Sequence, residues 1–193
     1  MRTQIESLTA KPREQTTVAE PLELISGTAL ADLSTTESST ERPPEPAAEQ
    51  IRAKIQGLFS RARGEVFADG MDSVFSRGLK HFIDRFGSKA LDEIALLIIK
   101  ETAEPEVAEE ALRWIGYLED STTHRYRRWI LSKALSCSSV RVRDGALLGI
   151  SFMDDPSAAD DLRAAMKRER IPELRYEMGR VLEQLEAQRC PNT

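Results

Sequence analysis

The sequence predicts an all-α protein, and three observations carry that prediction. From Glu49 onward, apolar residues recur at helical spacing. No period-2 segment bounded by hairpin turn signals appears anywhere. A stretch of about 35 residues also comes round again at a constant offset, the mark of a repeat architecture.

Taken in order, the chain opens with a segment predicted to form no helix at all. Residues 1–48 hold no Phe, Trp or Tyr, although the 193-residue chain has 6 Phe, 2 Trp and 3 Tyr. Eight acidic residues stand there against four basic ones, and the stretch closes on STTESSTERPPEPAA. Such a composition buries too little apolar surface to offset the entropy of ordering, so a disordered acidic tail is expected. A short apolar island interrupts it at 21–25 and 29–33. It reads either as residually compact tail or as a peptide for a groove, in a partner or on the chain's own body.

The body is predicted to span 49–193. Ile51, Ile55, Leu58 and Phe59 make a first apolar stripe; Val74, Phe75, Leu79, Phe82, Ile83 and Phe86 make a second. Gly87 should end that helix, with Ser88 as N-cap of the next. The third helix carries Leu91, Ile94, Ala95, Leu97, Ile98 and Ile99, apolar on most faces, and should be sandwiched between neighbours.

The repeat comes next. Val107, Ala111, Leu112, Ile115 and Tyr117 align with Val142, Ala146, Leu147, Ile150 and Phe152, and an acidic pair closes each segment. A third copy begins at Pro172 and runs through Leu174, Met178, Val181, Leu182 and Leu185. Second helices fall between the copies: Tyr126, Trp129, Ile130, Ala134 and Leu135 mark one, and Leu162, Ala165 and Met166 the other. Ala111, Ala146 and Gly149 are small enough for a neighbouring helix to come close. Pro105, Pro156 and Pro172 suit first helical positions, where a missing N–H costs nothing. Each helix pair leaves an apolar face that another pair must cover, which implies a quasi-one-dimensional stack.

These residues resemble the HEAT-repeat family. The Pro-x-Val-x4-Leu form at 105–112, the VRDGALLG run at 142–149 and the PELR at 172–175 look like that family's first-helix pattern. The resemblance spans about 104–186, and reaches 65–103 only through helical period. Ala108, where the family has Arg, departs from the pattern. The resemblance implies a short right-handed α-solenoid of stacked antiparallel helix pairs. It also implies a scaffold for binding proteins or, less often, nucleic acids, with the second helices lining the concave side.

Little in the sequence points to catalysis. His81 and His124 are the two histidines; neither has Cys or a second His at ligand spacing. Cys137 reads as a small packing residue and Cys190 as a thiol in a frayed end. No Gly-Lys-Ser/Thr phosphate loop occurs. The pairs Asp154-Asp155 and Asp160-Asp161 suit capping and the helix macrodipole better than sugar or metal chemistry. No catalytic residue, cofactor or metal is therefore assigned. The apolar run at 94–99 is far shorter than the roughly 20 residues that cross a bilayer, and the first residues are polar. A cytoplasmic, soluble monomer is expected.

The best surface candidate is HRYRRW at 124–129. On a helix, Tyr126, Trp129, Ile130 and Lys133 share one side, expected in the core; Arg125, Arg128 and Ser132 share another. Arg125 and Arg128, continued by Arg163 and Lys167 on the next second helix, are the partner-binding candidates, for an acidic protein. The competing expectation is that Arg127, Arg128 and Arg141 pair with Glu119, Asp120, Asp154 or Asp155 between repeats. The body sums to −1 within a chain of −5, which disfavours nucleic acid as partner. Two alternatives stay open: a nucleic-acid-binding HEAT-like protein, even a repair-type enzyme, and a solenoid regulated by its own docked tail.

Overall fold

Helix starts and stops follow capping chemistry that the local sequence dictates. The computed structural model describes residues 48–68 and 71–189, all within the second of two units into which the chain divides, residues 43–193. The acidic segment, its apolar island and Cys190 lie outside the described residues. Among the described residues there are eight α-helices and no strand. They are α1 (Ala48–Arg61), α2 (Val74–Phe86), α3 (Ser88–Ile99), α4 (Pro105–Tyr117), α5 (His124–Ala134), α6 (Val140–Met153), α7 (Ala159–Arg168) and α8 (Pro172–Arg189). None of them is long and apolar enough to cross a membrane.

Ser73 opens α2 with a reciprocal box: Ser76 N–H donates to Ser73 Oγ at 2.9 Å and Ser73 N–H to Ser76 Oγ at 2.8 Å. Pro105 and Pro172 take first helical positions, as predicted, and Pro156 starts a 3-10 turn that Asp155 caps by accepting from Ser157 N–H at 2.9 Å. Ser88 is not the N-cap expected of it; it is already the first helical residue of α3. Gly87, at φ 53°, both closes α2 through its N–H to the Ile83 carbonyl and opens α3. A single residue in the positive-φ region turns the chain so tightly that no separate cap fits, and glycine adopts that conformation without a Cβ penalty.

Helices that alternate along the chain pack on each other. The contacts are α2–α4, α4–α6 and α6–α8 on the one hand and α1–α3 and α3–α5 on the other, together with α1–α2, α2–α3, α4–α5, α5–α6 and α7–α8. The core that these contacts enclose holds Phe75, Leu79, Leu91, Ile94, Ile98, Leu112, Ile115, Ile130 and Leu131, each nearly or wholly buried. A side chain of that size contributes about 1.5–3 kcal/mol when removed from water. The α1 stripe joins this core, with Phe59 edge-on to Phe75 at 5.1 Å.

At the α4–α6 crossing the two backbones come close. A Cβ added to Gly116 would lie 2.1 Å from the Gly149 carbonyl oxygen, and one on Gly149 would lie 2.6 Å from that of Leu112. Backbone therefore meets backbone here, flanked by fully buried Ala111 and Ala146. The small residues of the repeat have the close-approach role their spacing predicted.

Polar links join α6 to the segment between α7 and α8. Arg143 of α6 grips Glu169 bidentately at 2.7 and 3.0 Å, and also donates to the carbonyls of Cys137 and Ser138. Glu169 accepts the backbone N–H of Arg170 and Ile171, just before α8. The Arg143 guanidinium, helped by those N–H groups, pulls the Glu169 carboxyl from 4.5 down to about 2. A lowered folded-state pKa means stability that is complete above the ordinary carboxylate range and disappears as pH falls toward 2. Glu169→Gln should therefore cost on the order of 2–3 kcal/mol at pH 7. In urea unfolding, the gap between the two proteins should close between about pH 4.5 and 2. A gap independent of pH would refute this account.

Candidate functional site

Between α2, α4 and α6 lies a groove of about 540 Å³ lined by Asp72, Ser76, Arg77, Lys80, Arg113, Trp114, Tyr117 and Phe152. The register of the repeat produces it. Tyr117 ends α4 and Phe152 lies at the equivalent place near the end of α6, so stacking the two helices sets one ring beside the other. Their centroids are 5.8 Å apart at 87°, and Tyr117 meets Trp114 at 5.5 Å and 79°. Edge-to-face contact of this kind is favourable, yet it leaves Tyr117 62% and Phe152 46% exposed.

The wall of the groove is braced from beneath. Glu110, buried in α4, accepts both arms of Arg113 at 2.8 and 2.7 Å and the Trp114 indole N–H at 2.7 Å. Positions i+3 and i+4 lie over the same helix face, so one carboxylate can hold both side chains. Arg113 in turn sits over the Trp114 ring, 5.4 Å from its centroid. A buried carboxylate satisfied by three donors fixes Arg113 and Trp114, two of the side chains that line the groove. On the α2 side Arg77 and Lys80 are exposed.

No family model, curated protein or solved structure matches this chain. What the site can do must be read from its own chemistry. Among the described residues no group of three or more His, Cys, Asp or Glu could hold a metal ion. His81 is exposed, and His124 Nε2 lies 2.9 Å from Asp155 Oδ2. Cys137 is buried, and burial pushes its thiol up to about 11, which leaves it un-ionised at neutral pH.

The four arginine and lysine candidates of the second helices are not alike. Arg128 donates to Asp155 at 3.0 Å, and Arg163 binds Asp160 at 2.5 Å and also Glu186. Arg125 and Lys167 are exposed and make no ion pair among the described residues. Two of the four are thus occupied by neighbouring acids and two point to solvent. Of the expected inter-repeat pairs, Arg128–Asp155 forms, whereas Arg141 chooses Glu106 and Glu109, each at 3.2 Å.

The phase of α5 is also different from the expectation. Trp129, assigned to the core, is 45% exposed, and it stacks on Tyr126 at 5.6 Å; the Tyr126 hydroxyl donates to Asp92. Inward instead point Arg127, Ile130, Leu131 and Ala134, an equally good helical stripe headed by a cation. Arg127 is fully buried because it has somewhere to donate. Its guanidinium reaches the carbonyls of Ile115 (2.8 Å), Leu118 (2.5 Å) and Asp120 (2.8 Å) and the Thr123 hydroxyl (3.2 Å). It closes the C-terminus of α4, where helix carbonyls have no partner of their own. Asp120 itself is held by the Thr123 and Thr122 hydroxyls and the Thr122 N–H, which lower its carboxyl to about 2.

Glu110, Arg77, Lys80 and Arg113 were not singled out by sequence reasoning. One signal did point toward the groove: Tyr117 and Phe152 occupy equivalent repeat positions, and stacked repeats place equivalents side by side.

Proposed function

We propose that this chain is a non-catalytic helical-repeat protein, a short HEAT-like α-solenoid, that binds another protein. The observation that carries the reading is the braced groove of α2, α4 and α6, which brings exposed aromatic rings and cations together. Aromatic residues and arginine are the side chains most often responsible for protein-binding energy. The solenoid part rests on alternate helices in contact and on polar contacts between those helices or the turns that follow them, 34 residues apart for Tyr126 and Asp92, 37 for Ser138 and Glu101, and 32 for Arg168 and Ser136. Both are what stacked pairs of about 35 residues would produce.

Support for the second-helix face is weaker, since Arg128 and Arg163 already have acidic partners. A photo-crosslinking phenylalanine analogue placed in cells at position 117, and separately at position 125, tests the reading. A discrete protein adduct from 117 but not from 125 is expected. An adduct from 125 alone would move the interface to the second helices, and none from either would overturn a protein-binding role.

A further inference from the structure

We infer that the α2–α4–α6 groove takes a peptide segment whose acidic side chains flank an apolar anchor. This rests on the protein-binding reading and names the partner's chemistry. Three cations line the groove against a single lining acid, Asp72. Glu110 already neutralises Arg113, so the charge offered to a partner belongs to Arg77 and Lys80. Arg77 makes one long bond, 3.5 Å, to the Asp72 carbonyl, and Lys80 makes no ion pair among the described residues. Opposite them, Tyr117 and Phe152 expose ring surface that an aliphatic or aromatic anchor would cover. An acidic residue toward α2 and an apolar one toward α4 and α6 would meet both walls at once.

The next groove has the opposite sign. Asp144, Glu177 and Glu183 line the α6–α8 groove against Arg180. An acidic segment is therefore drawn to the first groove and repelled by the second, which sets where it lies. Ring geometry argues against single-stranded nucleic acid, the other ligand that aromatic residues and cations attract. Tyr117 stands edge-on to Trp114 and to Phe152, and Arg113 covers the Trp114 face, so successive bases find no parallel ring faces.

Fluorescence anisotropy with the full chain tests the inference. The probes are short synthetic peptides that place Asp and Glu around Leu or Phe, the same peptides with Lys in place of each acid, and an oligothymidine. The acidic peptides should bind, and their Lys counterparts should bind about tenfold more weakly or worse. The double variant R77E/K80E should lose about tenfold in affinity with its melting temperature unchanged, whereas R125E/K167E should bind as the parent does. Equal binding of acidic and Lys peptides, or full affinity in R77E/K80E, would overturn the inference. Preference for the oligothymidine would overturn it in favour of nucleic acid. If no peptide binds while position 117 still crosslinks to a protein, the acidic class falls and the protein-binding reading stands.

Discussion

Arg127→Met is expected to destabilise the protein by about 3–5 kcal/mol, the largest loss for any single arginine, with the melting temperature lower by roughly 10 °C. Methionine fills much of the space but donates nothing. The carbonyls of Ile115, Leu118 and Asp120 and the Thr123 hydroxyl would lose their donor beneath a fully buried side chain. Each orphaned buried acceptor costs about 1–3 kcal/mol, partly recovered where water can enter. Burial already works against this guanidinium, lowering its pKa, so the charge is tolerated only through those bonds. Lysine should restore only part of the loss, because one ammonium cannot reproduce a planar fork spread over three carbonyls. Arg128→Met is the comparison: its partner Asp155 lies near the surface, and about 1 kcal/mol is expected. Urea unfolding of the three variants would decide the matter, and a loss below about 1 kcal/mol for Arg127→Met would refute the capping role.

Gly116→Ala should be the second costly change, and its sign is the test. Within a helix, Gly→Ala ordinarily gains about 1 kcal/mol from propensity. At Gly116 the new methyl would sit 2.1 Å from the Gly149 oxygen and 2.4 Å from its Cα, both backbone atoms that no rotamer change can move. The α4 and α6 helices must then separate, and a net loss of about 2–4 kcal/mol is expected. Gly57→Ala provides the control in the same protein. The nearest atom there is the tip of the Arg61 side chain at 3.5 Å, so the change should stabilise by about 0.5–1 kcal/mol. Thermal melts of the two variants should move in opposite directions. A stabilised Gly116→Ala protein would mean that α4 and α6 do not meet backbone to backbone.

These expectations separate what was legible from what was not. The helical periods, the proline starts, the Asp155 cap and the smallness of Ala111, Ala146 and Gly149 at the α4–α6 crossing were readable, from local residues and the repeat, whereas Gly116, where the backbones come nearest, was not singled out. The alignment of Tyr117 with Phe152 was readable too, since equivalence between repeats is a property of the sequence. The phase of α5 was not. Its residues offer two plausible inward stripes, one headed by Tyr126 and Trp129 and the other by Arg127. The larger aromatic rings favour the first, and carbonyls at the end of another helix favour the second. Likewise nothing in the sequence marks Glu110, which becomes a buried acceptor only because Arg113 and Trp114 close over it.

The sequence by itself determined an all-helical body, the proline starts of its helices, and some of the positions that must be small for helices to touch. Those outcomes follow from backbone chemistry and side-chain volume, which act locally. Tertiary structure alone decided that a cation, and not a tryptophan, would face inward from α5, and that rings and charges from three helices would share one groove. The first depends on carbonyls that the turn after α4 brings beneath α5, up to 12 residues back along the chain, and the second on helices some 35 residues apart; a buried polar atom is stable only where such a neighbour satisfies it.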